Sequence, residues 1–138
     1  FLLPSINMKL RDKILAMAPG TRIVANTFTM EDWAADQTET VSGDCVSWCT
    51  ALLWIVPAKV AGTWTLPNGS LTLTQEYQTV QGTITIGGQA QTVVMGRLKG
   101  EELTFSAGGQ TYKGIARGNT ITGTITGGPG GTFTATKK

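Results

Sequence analysis

The amino-acid sequence predicts an α+β protein in which a partial α/β segment precedes an antiparallel β-meander that closes as a small barrel or sandwich. Residues 1–33 follow a strand–helix–strand pattern, and residues 57–138 contain short alternating segments separated by glycine-rich turns. The composition indicates a folded chain, because 41% of the 138 residues are hydrophobic and only 14% are charged, whereas disorder requires the opposite balance. We therefore expect two domains, residues 1–56 and residues 57–138.

The first domain begins with a short apolar run at residues 1–3 that stops at Pro4, as a buried parallel strand does at a loop. A helix is predicted next, with Ser5 or Asn7 as its cap, and Pro19-Gly20 ends it. Its apolar face recurs at steps of four, four and three residues, at Ile6, Leu10, Ile14 and Met17.

A second strand is predicted at residues 22–28. Strand, helix and strand over about 28 residues make a crossover unit, which implies a parallel sheet. An antiparallel hairpin built from residues 38–41 and 49–56 would fit at the edge of that sheet. Nothing before Phe1 supplies a further strand and the chain has no initiator Met, so we expect it to be a piece of a larger protein.

The second domain shows turn signals roughly every 8 to 12 residues, which is typical of an antiparallel barrel or sandwich. Helix is disfavoured, because each interior glycine would destabilise it by about 1 kcal/mol. The eight predicted strands are residues 61–66, 71–77, 80–86, 91–98, 102–106, 111–117, 120–126 and 132–136. A glycine inside such a strand often permits a bend or close packing against an aromatic ring.

The absence of histidine narrows the chemistry. It removes the usual general base, the Ser-His-Asp and Cys-His pairs and most zinc sites. Cys45 and Cys49 have no further cysteine to complete a tetrahedral metal site, and we expect no metal. On a strand their Cα atoms would lie about 13 Å apart, which favours two free thiols. A turn between them would allow a disulfide in an oxidising compartment.

Three other features have plain structural interpretations. Glu31-Asp32 follows the second predicted strand, where α/β proteins place functional loops, but a helix-initiating turn is favoured. Glu101-Glu102 is expected to be a solvated hairpin turn. Residues 127–131 lack the helix and the Lys-Ser/Thr pair of a phosphate loop, which indicates a flexible turn.

The charge pattern favours neither nucleic acid nor a membrane as a partner. The net charge is +2, and the densest basic group, Lys9, Arg11 and Lys13, is expected to be one solvated helix face. No apolar run approaches the roughly 20 residues of a membrane span. The compartment stays open between the cytoplasm and, if an upstream signal peptide was lost, the periplasm.

Aromatic residues of the second domain are candidates for a ligand cavity: Tyr77, Phe105, Tyr112 and Phe133. At strand spacing such residues are usually core, so a cavity and a packed interior both remain open. Gly62-Thr63-Trp64 is similar to the first strand of lipocalin and avidin barrels, folds that hold small ligands.

Residues 2–15 and 19–33 resemble the C-terminal half of class I S-adenosylmethionine-dependent methyltransferases. In that family a "Leu-x-Pro-Gly-x-Arg-Val-Val" type turn leads into the fifth strand, and residues 16–24 match it with Met17 and Ala18 as apolar variants. Some bacterial members carry an added β-rich tail that begins near a Trp-x-Val-Pro-Ala-Lys-Val-Ala-Gly-x-Trp string. Residues 54–64 are such a string.

The resemblance implies that S-adenosylmethionine is the cofactor of the intact protein. The family holds it with a glycine-rich loop after the first strand and an acidic residue at the end of the second, and neither lies in these 138 residues. No cofactor is therefore expected for this chain alone. The residues that the resemblance places on the rim between cofactor and substrate are Pro4, Ser5, Asn7, Met30 and Trp33. The alternative is that Pro4 and Asn7 start the helix and Trp33 is packing.

The leading hypothesis from sequence is thus a methyltransferase fragment that lacks its cofactor-binding half and is inactive alone. The alternative is a non-enzymatic β-barrel that binds a ligand or another protein. Expected partners are the missing N-terminal half or a second copy of the chain in a homo-oligomer. A strand without a neighbour exposes unpaired backbone N–H and C=O groups, and these can pair with a strand of another chain.

Overall fold

The computed structural model describes residues 3–138, which divide into two compact units, Phe1–Val56 and Pro57–Lys138. The first unit opens with helix α1, Pro4–Leu15. Proline suits the first turn of a helix, because its missing N–H has no partner there in any case. The N-cap is Leu3 and makes no side-chain hydrogen bond, so the predicted cap at Ser5 or Asn7 is wrong. Of the strand predicted at residues 1–3, the first two residues lie outside the described part.

The first unit contains a three-stranded antiparallel sheet. Its strands are β1 (Arg22–Asn26), β2 (Gln37–Thr40) and β3 (Thr50–Ile55), in the order β1-β3-β2. Strand β3 pairs with both neighbours, so that Leu52 lies opposite Ala25 on one side and Thr38 on the other. The predicted parallel crossover is not observed among residues 3–138, because the apolar strand β3 supplies β1 with its partner. The methyltransferase-like α/β arrangement is therefore not supported by the strand pairing in this unit.

Two tryptophans form the centre of the first unit. Trp33 and Trp54 are fully buried, with ring centroids 6.3 Å apart. The indole Nε1 of Trp54 donates to the carbonyl oxygen of Trp33 at 2.8 Å. This bond gives the buried N–H a hydrogen-bond partner in place of water. Only part of the predicted apolar helix face is covered, since Ile6 and Met17 are exposed.

The loop between β2 and β3 is closed by a disulfide between Cys45 and Cys49. The prediction of free thiols assumed an extended backbone, but β3 begins only at Thr50. The two cysteines instead lie in an irregular loop that brings their Cα atoms to 6.0 Å, within the usual range for a disulfide.

The second unit is a closed eight-stranded antiparallel barrel, so the predicted antiparallel meander with eight strands is confirmed, and of the expected barrel or sandwich it is the barrel. Neighbouring strands pair around it in the order β10-β11-β4-β5-β6-β7-β8-β9. The strands are β4 (Gly62–Leu66), β5 (Gly69–Glu76), β6 (Thr79–Ile86), β7 (Gln89–Lys99), β8 (Glu102–Ala107), β9 (Gln110–Arg117), β10 (Thr120–Thr126) and β11 (Gly131–Lys137).

Inward-facing side chains fill most of the barrel. They alternate with exposed residues, as the pleat of a half-buried strand requires, and include Trp64, Leu71, Ile84, Leu103 and Ile121. Gly114 shows why glycine interrupts these strands: a Cβ built there would lie 3.0 Å from Cζ of Phe133. The expected packing of an aromatic ring against a strand glycine is thus found between β9 and β11.

One end of the barrel is closed by residues 57–61, which precede β4. Ala58 and Val60 are buried there, and the N–H of Ala58 donates to the carbonyl of Gly100 at 2.9 Å. The Gln75 amide accepts from the N–H of Val60 and donates to the carbonyl of Ala58, each at 2.8 Å. The indole of Trp64 also donates to the carbonyl of Val60, at 2.9 Å. This segment forms a plug at the end opposite the β4–β5 turn.

Candidate ligand-binding cleft

The barrel closes through a short seam between its first and last strands. Strands β4 and β11 are paired only at Thr65–Thr136 and Trp64–Lys137, whereas β4 and β5 are paired along all of β4. After Leu66 the chain turns at Pro67 and Asn68 towards β5, so the first residues of β11 are not paired with β4. The seam is therefore closed near the plugged end and open near the other end.

A cleft of about 400 Å³ lies at this open end. Its lining comes from the end or the start of five strands and from one turn: Leu66, Pro67, Asn68, Ile86, Tyr112, Ile125, Thr132, Phe133 and Thr134. Residues Ile86 and Ile125 pack partly buried against the core. Most of the cleft wall is therefore apolar, as is usual for a site that binds a small molecule.

Three aromatic rings lie in and behind the cleft. The rings of Phe105 and Tyr112 are stacked with centroids 4.8 Å apart, and Tyr112 meets Phe133 edge-on at 5.6 Å. The Tyr112 hydroxyl donates to the Gln110 amide oxygen at 3.2 Å. Burial raises the pKa of Tyr112, because the phenolate would lose its hydration. The hydroxyl therefore stays protonated across the physiological pH range.

The sequence-predicted cavity set is only partly brought together. Tyr112 and Phe133 line the cleft, and Phe105 lies behind Tyr112. Tyr77 lies in the turn between β5 and β6, at the plugged end, and is not part of the lining. Sequence reasoning missed Leu66, Ile86 and Ile125. Each is an apolar residue at or next to the end of a strand, just before a turn, and that position was the available signal.

The rim residues implied by the methyltransferase resemblance lie close together in the first unit. The amide of Asn7, only 3% exposed, donates to the carbonyls of Phe28 and Thr29, each at 3.3 Å. Met30 and Trp33 are bridged to each other and are fully buried. Ser5 is exposed, and Pro4 is the first residue of α1. Asn7 thus joins α1 to the loop after β1, and Met30 and Trp33 are buried residues of that loop.

The acidic pair after β1 has a structural role. Asp32 forms an ion pair with Arg11 of α1, and Glu31 has a positive φ of 56°. The predicted helix-initiating turn is wrong, since residues 31–32 form the turn between bridged Met30 and Trp33 and no helix follows. Together with Asn7, this ion pair ties the loop to the helix.

The described residues contain neither a cluster of metal ligands nor a helix that could span a membrane. Among residues 3–138, no group of three or more His, Cys, Asp or Glu side chains could hold a metal ion. The helix within the same range is too short and too polar to cross a membrane.

Comparison with known proteins assigned no relative to this chain: no family model, curated protein or solved structure matched it.

Proposed function

We propose that this chain is the C-terminal part of an S-adenosylmethionine-dependent methyltransferase, in which residues 1–56 form one edge of the catalytic sheet and residues 57–138 form an added barrel. The observation that carries the proposal is the sequence resemblance of residues 2–15 and 19–33, and the position of β1 is compatible with it. Within the part of the chain that the structure describes, β1 pairs with β3 alone, at the end of the order β1-β3-β2.

This order suits the edge of a mixed α/β sheet. Such sheets often carry an antiparallel strand at the edge of an otherwise parallel set, and β3 is antiparallel to β1. The backbone groups on the other edge of β1 are then available to a parallel strand from the rest of the enzyme. The turn from α1 into β1 is held to the end of β3, because Gly20 donates to Val56 and Val56 donates to Thr21.

The residues present do not by themselves fit the cofactor. The glycine-rich loop and the acidic residue that the family uses lie outside these 138 residues. Asn7, Met30 and Trp33 are buried and offer little surface to a ligand. In this proposal they position the loop after β1, whereas cofactor binding belongs to the other half of the enzyme. Such positioning supplies orientation rather than acid–base chemistry.

Calorimetric titration with S-adenosylmethionine tests the proposal on the longer protein that contains this chain, alongside the 138-residue chain itself. We expect saturable binding by the longer protein and none by the chain alone. Binding by neither overturns the proposal, and binding by the chain alone shows that the cofactor site was misplaced. The coding sequence upstream of Phe1 gives an independent check, since it should encode a glycine-rich strand–turn–helix segment.

A non-enzymatic binding module is the second candidate function, and the cleft at the open seam is the observation that favours it. Eight-stranded barrels have an interior that side chains can just fill or that holds one small ligand. This barrel is filled over most of its length and leaves space at one end.

A further inference from the structure

We propose that the cleft at the open seam binds one small, uncharged molecule that contains a flat apolar ring. This inference deepens the second candidate function and rests on the barrel alone. It stands or falls independently of the methyltransferase proposal.

The barrel offers such a molecule an opening at one end. Residues 57–61 plug one end, where Gln75 satisfies the backbone of Ala58 and Val60. The other end opens where β4 and β11 part after Leu66. A concave cleft that opens beside a packed apolar core offers a small ligand an apolar surface on one side, which favours binding.

The lining selects against charge. None of the nine described residues that line the cleft is Asp, Glu, Lys or Arg. A charged ligand would lose its hydration there without gaining a partner, which is strongly unfavourable. Three polar side chains, Asn68, Thr132 and Thr134, are exposed beside the carbon wall. They can bond a hydroxyl, carbonyl or amide group at the outer end of the ligand.

The size and the floor of the cleft favour a ring. Its volume of about 400 Å³ falls within the roughly 300–1,000 Å³ of typical small-molecule sites. Tyr112 and Phe133 contribute two rings at 76° to each other, and both are nearly buried, so an inserted ring can stack on or meet edge-on only the small part of each that faces the cleft. Aromatic pairs in these arrangements gain about 0.5–1.5 kcal/mol beyond the area they bury.

The test uses N-phenyl-1-naphthylamine, an uncharged aromatic fluorophore, titrated into the full 138-residue chain. We expect its fluorescence to rise and saturate at one probe per chain. The related sulfonated probe 1-anilinonaphthalene-8-sulfonate should bind at least about tenfold more weakly, since the lining offers no cation. Equal affinity for the two probes, or a linear rise without saturation, would overturn the proposal.

A pair of threonine variants locates the site. Thr134 borders the cleft, whereas Thr122, its register partner on β10, does not. Both side chains are exposed, so neither substitution disturbs the core. Thr134→Trp should fill the mouth and raise the probe Kd by about tenfold or more, and Thr122→Trp should leave it within about twofold. Equal effects of the two variants would place the probe elsewhere.

A second pair covers the case in which a bulky residue at position 134 disturbs the seam. Ile125 lines the cleft, and Ile115 faces outwards on the neighbouring strand β9. Ile125→Thr should weaken the probe by about fivefold or more, because it replaces apolar contact with a hydroxyl, and Ile115→Thr should not. Thermal unfolding by circular dichroism shows that each variant is folded. A folded Ile125→Thr variant with unchanged affinity would contradict the proposal.

Discussion

The rings of Phe105 and Tyr112 lie face to face across β8 and β9, with an interplanar angle of 9° and centroids 4.8 Å apart. Both residues are almost fully buried. The pair joins the packed part of the barrel to the cleft, since only Tyr112 belongs to the lining. The same two residues therefore connect the stability of the barrel with the shape of its open end.

Truncation of Phe105 should be among the more damaging single changes in the barrel. Phe105→Ala removes a buried ring and its stacking contact with Tyr112, for which we expect a loss of about 3–5 kcal/mol in the free energy of unfolding. Urea denaturation followed by near-ultraviolet circular dichroism measures it. Phe105→Leu, which keeps most of the apolar volume, should lose much less. Both variants remove the stack with Tyr112, so equal losses would show that the stack rather than the buried volume matters, and would contradict the prediction.

The buried Tyr112 hydroxyl predicts a specific dependence of stability on pH. Burial raises the pKa of Tyr112 in the folded state above the ordinary value of 10.0. Above that value the unfolded chain releases this proton while the folded barrel keeps it, so stability falls as pH rises through the folded pKa and is unaffected below the unfolded one. Thermal melts between about pH 8 and pH 11.5 should show a shallower decline for Tyr112→Phe than for the natural chain. Parallel declines would contradict the prediction.

Gly123 should not tolerate a side chain, although its φ is ordinary. A Cβ there would overlap the carbonyl oxygen of Lys113 and the Cα of Gly114 on β9. Backbone atoms cannot move aside cheaply, so Gly123→Ala should lower the free energy of unfolding by about 1–3 kcal/mol. Thr122→Ala, at the exposed neighbouring position, is the matched control and should change it by less than about 0.5 kcal/mol. A tolerated Gly123→Ala would mean that β9 and β10 lie further apart than described.

Gln75 should hold the plug of the barrel in place. Its amide bonds the backbone of Ala58, Val60 and Tyr77, each at 2.8 Å. Gln75→Ala leaves those backbone groups without this partner, for an expected loss of about 1–3 kcal/mol. Hydrogen exchange at the N–H of Val60 should accelerate, whereas Gln81→Ala, at an exposed position on β6, should leave it unchanged. Unchanged exchange in Gln75→Ala would show that packing alone holds the plug.

The eight barrel strands could be predicted because their signals are local. Glycine pairs such as Gly87-Gly88 and Gly108-Gly109 both have positive φ and mark hairpin turns, and the alternation between them gives the strand faces. The plug was not predicted, because it depends on hydrogen bonds between the Gln75 amide and the backbone of Val60 and Ala58. These two residues precede Gln75 by 15 and 17 positions in the chain. Nothing in the local pattern around Gln75 indicates that partner.

The errors in the first unit have the same origin. A crossover and a hairpin use similar strands, and only the long-range choice of partner, here β3 for β1, distinguishes them. The loop between β2 and β3 carries no strong strand or helix pattern, so the approach of Cys45 to Cys49 was not predictable from spacing alone. The cleft shares this difficulty, since its mouth depends on where the pairing of β4 with β11 stops.

The seam also brings the two ends of the barrel segment side by side. Trp64 on β4 lies opposite Lys137 on β11, and the N–H of Lys138 donates to the carbonyl of Thr63 at 3.0 Å. Residue 138 and the plug both lie at the plugged end, so a glycine-rich linker can join residue 138 to residue 57, and new termini can be cut at the exposed Gly87-Gly88 turn. In that permuted molecule β4 and β11 become neighbours along the chain. The least extensively paired junction of the barrel would then be covalently linked at the plugged end, while its other end stays open at the cleft.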